Sequence, residues 1–456
     1  MSMDETLQSL LEIGDEVVAA ARAKGATVAE ATIRQGSHLS TKIRLGAPEL
    51  VEEAGSRALG MRVMVGRQVA VTYTSDLSAR GRAQLVADAI ELAQLSQEDE
   101  FAGPPDPSLL SRTEDHVDLD TYDPTMDAFG AEEALERAIA GEKAARDADA
   151  RITNSEGATF TRASGGSALV TSGGFRGTSV GTYASLVVNP VADDEGGKKR
   201  SGYHWTARRH LAELEDAAAV GREAARRTLR KLGAAKIASE EMPVVFDPDA
   251  ARSIVGLLAG CVNGGAIWRR SSYLLDRLGT AVASDLVTIV DDPLIPRAPG
   301  SRPYDGEGLL SRKNVVVEKG ELRTYLMDSY AARKLSMEST ASASRGASGG
   351  VGPSTTNFLL QPGELTPEQV RDVPRGLYVT EMMGFGFNAV TGDFSRGAAG
   401  FLIENGELTQ PVAEVTISLD LDQMLKRIDA VGNDLDLRTS TASPTFRVSA
   451  MTVAGR

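Results

Sequence analysis

Four histidines, His38, His116, His204 and His210, and one cysteine, Cys261, are the whole supply of soft metal ligands in this chain. A catalytic zinc takes three protein ligands from histidine, cysteine and carboxylate and keeps one position open for water. None of these histidines stands in an HExxH or HExxxH helix. His204 and His210 are close in sequence, but Arg208 and Arg209 lie between them and would repel a dication. His38 is expected at a hairpin turn. His116, beside Glu114, Asp115 and Asp118, is expected in an acidic loop, where adjacency alone does not build a site. No serine is expected on a strand-to-helix nucleophile elbow, and neither a dinucleotide fingerprint nor a Walker A loop is present.

The densest feature is the stretch from Thr380 to Gly406. Glycines 384, 386, 392, 397 and 400 permit tight turns and close approach by another chain, and Met382, Met383, Phe385 and Phe387 supply adaptable apolar surface. Two readings stand side by side: glycine-rich strand turns packed on the core, or a binding surface. On the second, Asp393, Ser395, Arg396 and Gly397 are the candidates for substrate or partner contact, because a guanidinium grips a carboxylate through two parallel hydrogen bonds. The alternative for Asp393 is a structural salt bridge. Thr340 to Thr356, rich in Ser, Thr and Gly with Arg345 as its single charge, reads first as a mobile loop and second as a binding segment whose backbone amides meet a partner or peptide.

The elements that must position these residues follow from periodicity. Asp4 to Lys24 repeats apolar residues at helical spacing and stops at Gly25. Thr27–Gln35 and Leu39–Leu45 read as strands turning at Gly36 and Ser37, and Leu59–Val65 and Val69–Thr74 as a hairpin through Gly66 and Arg67. Gln97 to Thr125, with four prolines, reads as an acidic loop that wraps the surface. Ala158–Ala163, Ala168–Thr171 and Thr178–Val188 read as strands divided by glycine pairs. After a polar stretch, Met242–Phe246 runs into Asp247-Pro248-Asp249, an N-cap with proline at the first helical position. The helix it starts puts Ile254, Leu257, Leu258, Cys261 and Val262 on one side, so Cys261 reads as a packed small hydrophobe. Strands and glycine turns dominate the rest. The expected class is α+β in two domains: residues 1–235, mixed α/β around an antiparallel sheet, and residues 242–456, mainly antiparallel β.

The 456 residues carry a formal charge of −14, and the segment from Glu91 to Asp149 holds 17 acidic against 4 basic residues. Direct nucleic-acid binding needs a basic stripe instead. No apolar run reaches the roughly 18 residues of a membrane helix, and the N-terminus lacks the pattern of a secretory signal. A cytoplasmic protein without membrane attachment is expected, and one cysteine excludes an internal disulfide framework.

Thr391 to Glu407, TGDFSRGAAGFLIENGE, resembles the C-terminal signature of the TldD/PmbA family (peptidase U62), in its PmbA/TldE-like branch. Leu286–Pro293, Asp305–Gly308, Ala430–Asp434 and Thr452–Gly455 resemble other family segments in the same order. In TldD-like members a helix carries HExxxH and a later cysteine completes a zinc site. The matching positions here are Ala259, Gly260 and Gly264, and Thr439 to Ser443 offers hydroxyls only. The resemblance therefore implies no catalytic residue and no metal in this chain, with zinc in a TldD-like partner. It implies a heterodimeric peptidase acting on extended short or unfolded peptides, in maturation or antitoxin turnover, with this subunit shaping the channel and inactive alone. A non-catalytic peptide-binding or scaffold homodimer is the alternative.

Overall fold

A computed structural model of the chain describes residues 2–455. The first helix, α1 (Met3–Ala23), opens on a capping box in which the Ser2 hydroxyl accepts from Glu5 N–H and the Glu5 carboxylate accepts from Ser2 N–H. Its buried face, Leu10, Leu11, Gly14, Val17, Val18 and Ala21, lies on a sheet. Gly14 is required there, since a Cβ would stand 2.6 Å from a methyl of Val170. The sheet is antiparallel: β1 (Val28–Arg44), β2 (Ala47–Val65), β3 (Gln68–Thr74), β4 (Ile152–Thr171), β5 (Arg176–Asp193), β6 (Lys199–Ser201) and β7 (His204–Arg208). Its order is β3-β2-β1-β4-β5-β6, with β7 also paired to β5.

Two of its strands differ from the sequence expectation. β1 runs straight through Gly36 and Ser37, and β4 through Gly165 and Gly166. The glycines are not turns but points of close strand contact: a Cβ on Gly165 would sit 2.8 Å from the Gln35 carbonyl oxygen. The β1–β2 turn instead falls at Leu45-Gly46, both with positive φ. The long strands carry two cores on one face. Ala29, Ala31 and Ile33 pack under α1 and α2 (Ala79–Leu95). Leu39, Ile43, Ala158 and Phe160 pack under α4 (Ala131–Asp147) and α5 (Ala217–Leu229), beside the short α3 (Thr125–Ala128).

From Glu240 the chain runs through β8 (Glu240–Phe246), α6 (Pro248–Cys261), α7 (Gly264–Trp268), β9 (Ile289–Asp291), β10 (Asn314–Glu318), β11 (Glu321–Leu322) and α8 (Ser329–Leu335). There follow β12 (Ala343–Arg345), β13 (Val351–Pro353), β14 (Phe358–Leu360), α9 (Pro367–Val370), β15 (Arg375–Met383), β16 (Asp393–Glu404), β17 (Glu407–Asp420), α10 (Leu421–Lys426), β18 (Ile428–Val431), β19 (Thr441–Ala442) and β20 (Phe446–Ala454). One sheet has the order β17-β16-β15-β8-β20-β18, and β17 also pairs with β20, so five strands close into a ring. A second has the order β11-β10-β9-β14-β19. Helix α6, capped by Asp247 with Pro248 at its first position, touches β8 and β15 of one sheet and β14 and β19 of the other. It buries Ile254, Val255, Leu258 and Cys261 in the largest core.

The two parts are fastened by charge and by a strap. Arg345, expected in a mobile loop, is 5% exposed and lies 2.7 Å from Glu30 on β1, whose carboxylate also takes Arg62 at 3.1 Å. Thr340–Thr356 is thus an ordered segment around the β12–β13 hairpin. A buried carboxylate held by two guanidiniums outweighs the segment's polar composition. The acidic loop wraps across both parts, as its composition suggests. Arg333 donates to the carbonyls of Phe101, Gly103 and Pro104, and the Tyr330 hydroxyl to Asp99 at 2.8 Å.

Candidate functional site

The three motif positions do not share a helix. Ala259 and Gly260 lie in the last turn of α6, which ends at Cys261, whereas Gly264 is the first residue of α7, after the Asn263 cap. Asn263 Oδ1 accepts from Gly265 N–H at 2.8 Å, and its Nδ2 donates to the Pro353 carbonyl of β13 at 2.8 Å. Gly260 faces open space, while a Cβ on Gly264 would stand 2.7 Å from Met327 Cγ and 3.1 Å from Ala331 Cβ. Cys261 points into the core, where burial pushes its thiol up to about 12. These residues do not fit a zinc ion. There is no donor at two positions, no room at the third, and a thiol that burial keeps protonated.

Beside them opens a cleft of about 480 Å³ lined by Gly260, Asn263, Trp268, Arg269, Tyr330 and the edge of β13. Arg269, part of the lining, stands over the Trp268 ring, so the cleft sets a cation beside aromatic faces; Lys334 stands over the rings of Trp268 and Tyr330 from outside the lining. Sequence reasoning missed Trp268, Arg269, Tyr330 and Lys334; the available signal was Trp-Arg-Arg directly after the vacant motif.

The signature residues fall on β16 and divide between its faces. Asp393 and Ser395 line an open cleft of about 680 Å³ with Phe385, Phe387 and Phe394. Asp393 accepts from the Thr391 hydroxyl at 2.6 Å and has no ion pair among the described residues, which removes the salt-bridge alternative. Arg396, on the opposite face, donates from Nε to the Gly384 carbonyl at 2.9 Å, its side chain's one hydrogen bond among the described residues, none of which meets its terminal nitrogens. Gly397 pairs with Met383 and Thr416 within the sheet. The β15–β16 connection carries a fully exposed Phe385 and a half-exposed Val390. It lies against the segment after α7, where Tyr273 N–H donates to the Ala389 carbonyl at 2.8 Å. Signature and vacant motif are therefore neighbours in space.

Other constellations carry less chemistry. Gly346-Ala347-Ser348-Gly349-Gly350 has the spelling of a nucleophile elbow, a match the sequence reading passed over, but it forms the β12–β13 turn and not a strand-to-helix bend. Ser111 Oγ lies 2.9 Å from His116 Nε2 and 2.9 Å from the Gly308 carbonyl, with no carboxylate orienting the ring. His204 faces Glu215 at 3.1 Å, and His210 the Asp120 carbonyl at 3.0 Å. Among the described residues no group of three or more His, Cys, Asp or Glu side chains is placed to hold a metal ion, and no helix is long and apolar enough to cross a membrane.

Three models of the PmbA/TldA metallopeptidase match the chain: domain 1 at residues 29–93, the central domain at 125–232 and the C-terminal domain at 239–455. The chain is similar to metalloprotease PmbA of Escherichia coli O157:H7, at 34% identity over 100% of this chain and 96% of the relative. It is 35% identical to a PmbA homologue of Haemophilus influenzae, over 95% and 93%. Among solved structures, a candidate modulator of DNA gyrase from Bacteroides thetaiotaomicron superposes with a TM-score of 0.91 at 26% identity, covering 98% of both chains. TldE from Thermococcus kodakarensis superposes at 0.87 and 20% identity, covering 97% of this chain and 100% of that one, a likeness of fold alone.

Proposed function

The chain belongs to the PmbA/TldD metallopeptidase family, and from that premise we propose that it is the zinc-free subunit of a two-subunit peptidase. It shapes the channel for an extended, short or unfolded peptide, and a TldD-like partner supplies zinc and the general base. The reading rests on Gly264. A ligand there is not merely missing: Met327 and Ala331 occupy the space a side chain would need. The cleft lined by Trp268, Arg269 and Tyr330 supports a peptide-holding role, since a cation beside aromatic faces suits acidic or C-terminal carboxylate groups. Asp393, Ser395, Arg396 and Gly397 serve contact with substrate or partner. The exposed Phe385 and Met383 beside them offer the apolar anchor such a contact uses.

Co-expression with a family member that carries an intact HExxxH tests the pairing. A stable one-to-one complex by size exclusion with light scattering is expected, lost on replacing Phe385 by Ser. Two proteins that elute apart, with this chain holding peptide as a homodimer, would replace the proposal with the scaffold alternative.

A further inference from the structure

Where the C-terminal end of α5 meets the N-terminal end of α6, the two parts of the molecule enclose a pocket of about 160 Å³. That is below the roughly 300–1,000 Å³ of pockets for drug-sized ligands and suits something smaller. Most of its charges are already matched. Arg226 and Arg227 share the Glu223 carboxylate at 2.7 and 2.8 Å, and Arg227 reaches Asp249 at 3.4 Å. Lys231 is paired with Glu381 and donates to the Ser201 carbonyl at 2.7 Å.

Arg230 is the exception. Its guanidinium lies 4.3 Å from the centre of the Phe401 ring, its Nε is buried without a hydrogen-bond partner, and it has no ion pair among the described residues. The residue is half-buried with its Nε enclosed, and a partly desolvated cation without a counter-charge is stabilised when an anion meets it. Around it the Tyr203 and Tyr378 hydroxyls also make no hydrogen bond among the described residues, and both line the pocket. Among the described residues Asp247 is the one lining carboxyl without an ion pair, and one of its oxygens accepts from Ala250 N–H at 2.8 Å as the cap of α6. We propose that this pocket binds a small oxyanion, with Arg230 as its cation and the Tyr203 and Tyr378 hydroxyls as its donors. Burial raises the Asp247 carboxyl to about 7, so near neutrality it can present a proton to the ligand instead of a repelling charge. The shared chemistry is a phosphate or carboxylate group, either free or at the end of a peptide. The site is separate from the α6–α7 cleft and does not depend on the subunit having a partner.

Isothermal titration of the full chain tests it with three probes: inorganic phosphate, a dipeptide with a free C-terminal carboxylate, and the same dipeptide amidated. Saturable binding of phosphate, or of the free-acid peptide but not its amide, is expected and identifies the source. Arg230→Met should abolish it, and Tyr378→Phe should weaken it roughly tenfold, as loss of a hydrogen bond to a charged group does. Without anion, Arg230→Met should melt no lower than wild type, because it removes an uncompensated charge. Absence of saturable binding by either anion to wild type, or unchanged affinity in Arg230→Met, overturns the proposal. If Arg230→Met does not fold, unchanged affinity in Tyr378→Phe does so.

Discussion

At the scale of single residues, the vacant motif separates into positions that lost a group and one that has been filled. Gly260 opens on solvent and Ala259 is half-buried, so Ala259→His with Gly260→Glu should fold with a melting temperature near that of wild type. Adding Gly264→His forces an imidazole against Met327 and Ala331, and overpacking of this kind costs about 1–3 kcal/mol. Thermal melts of the double and triple variants distinguish them; a triple variant as stable as the double would show that the space is not closed. Glu307 gives a second residue-level expectation. Burial, then the neighbouring Asp305, raises its carboxyl above the ordinary value of 4.5, while its oxygen accepts from Ser329 N–H at 2.9 Å. With the folded value raised, the folded chain keeps a proton that the unfolded chain releases. Its contribution is full below about 4.5 and is lost as pH rises through the folded value. Wild type should therefore lose stability between pH 5 and pH 8, and Glu307→Gln should lose less; parallel melting curves would contradict this. Arg396→Ala should lower peptide hydrolysis by the assembled pair while leaving its melting temperature unchanged, since its single bond goes to a loop carbonyl.

Among the elements, those set by local chemistry were legible in the sequence. α1 announces its stop at Gly25 and α6 its cap at Asp247, and Gly66-Arg67 marks a real hairpin. Glycine misled where it served proximity: Gly36 and Gly165 let the long strands β1 and β4 lie close, and a reader of one strand sees only a turn. The segment around Arg345 was misread for a related reason, because its order comes from Glu30, which lies 315 residues away in sequence. The candidate site was half legible. Three vacancies and a signature could be named, but only the fold brings Ala389 against Tyr273 and lines the cleft with Trp268 and Tyr330. Breaking the buried pair by Arg345→Met leaves Glu30 with one partner, and losing one side of a buried ion pair costs roughly 3–5 kcal/mol. Hydrogen exchange should then rise across β12 and β13 while β4 and β5 stay protected. Unchanged exchange in the hairpin would mean that the ion pair does not hold it.

For the whole molecule, a seven-stranded antiparallel sheet with helices on one face meets a closed ring of strands, and the contact is fixed by charge, by the acidic strap and by the Arg230 pocket. The candidate features lie on the later part of the chain or at this junction, in keeping with the proposal of a subunit that presents a surface to a partner and holds a peptide. The most direct test is hydrolysis of an unfolded peptide, measured with zinc content, for this chain alone, for a TldD-like partner alone and for the two mixed. The account predicts no zinc and no hydrolysis from this chain alone, and hydrolysis from the mixture that tracks zinc in the partner. Stoichiometric zinc and peptide cleavage from this chain by itself would contradict it.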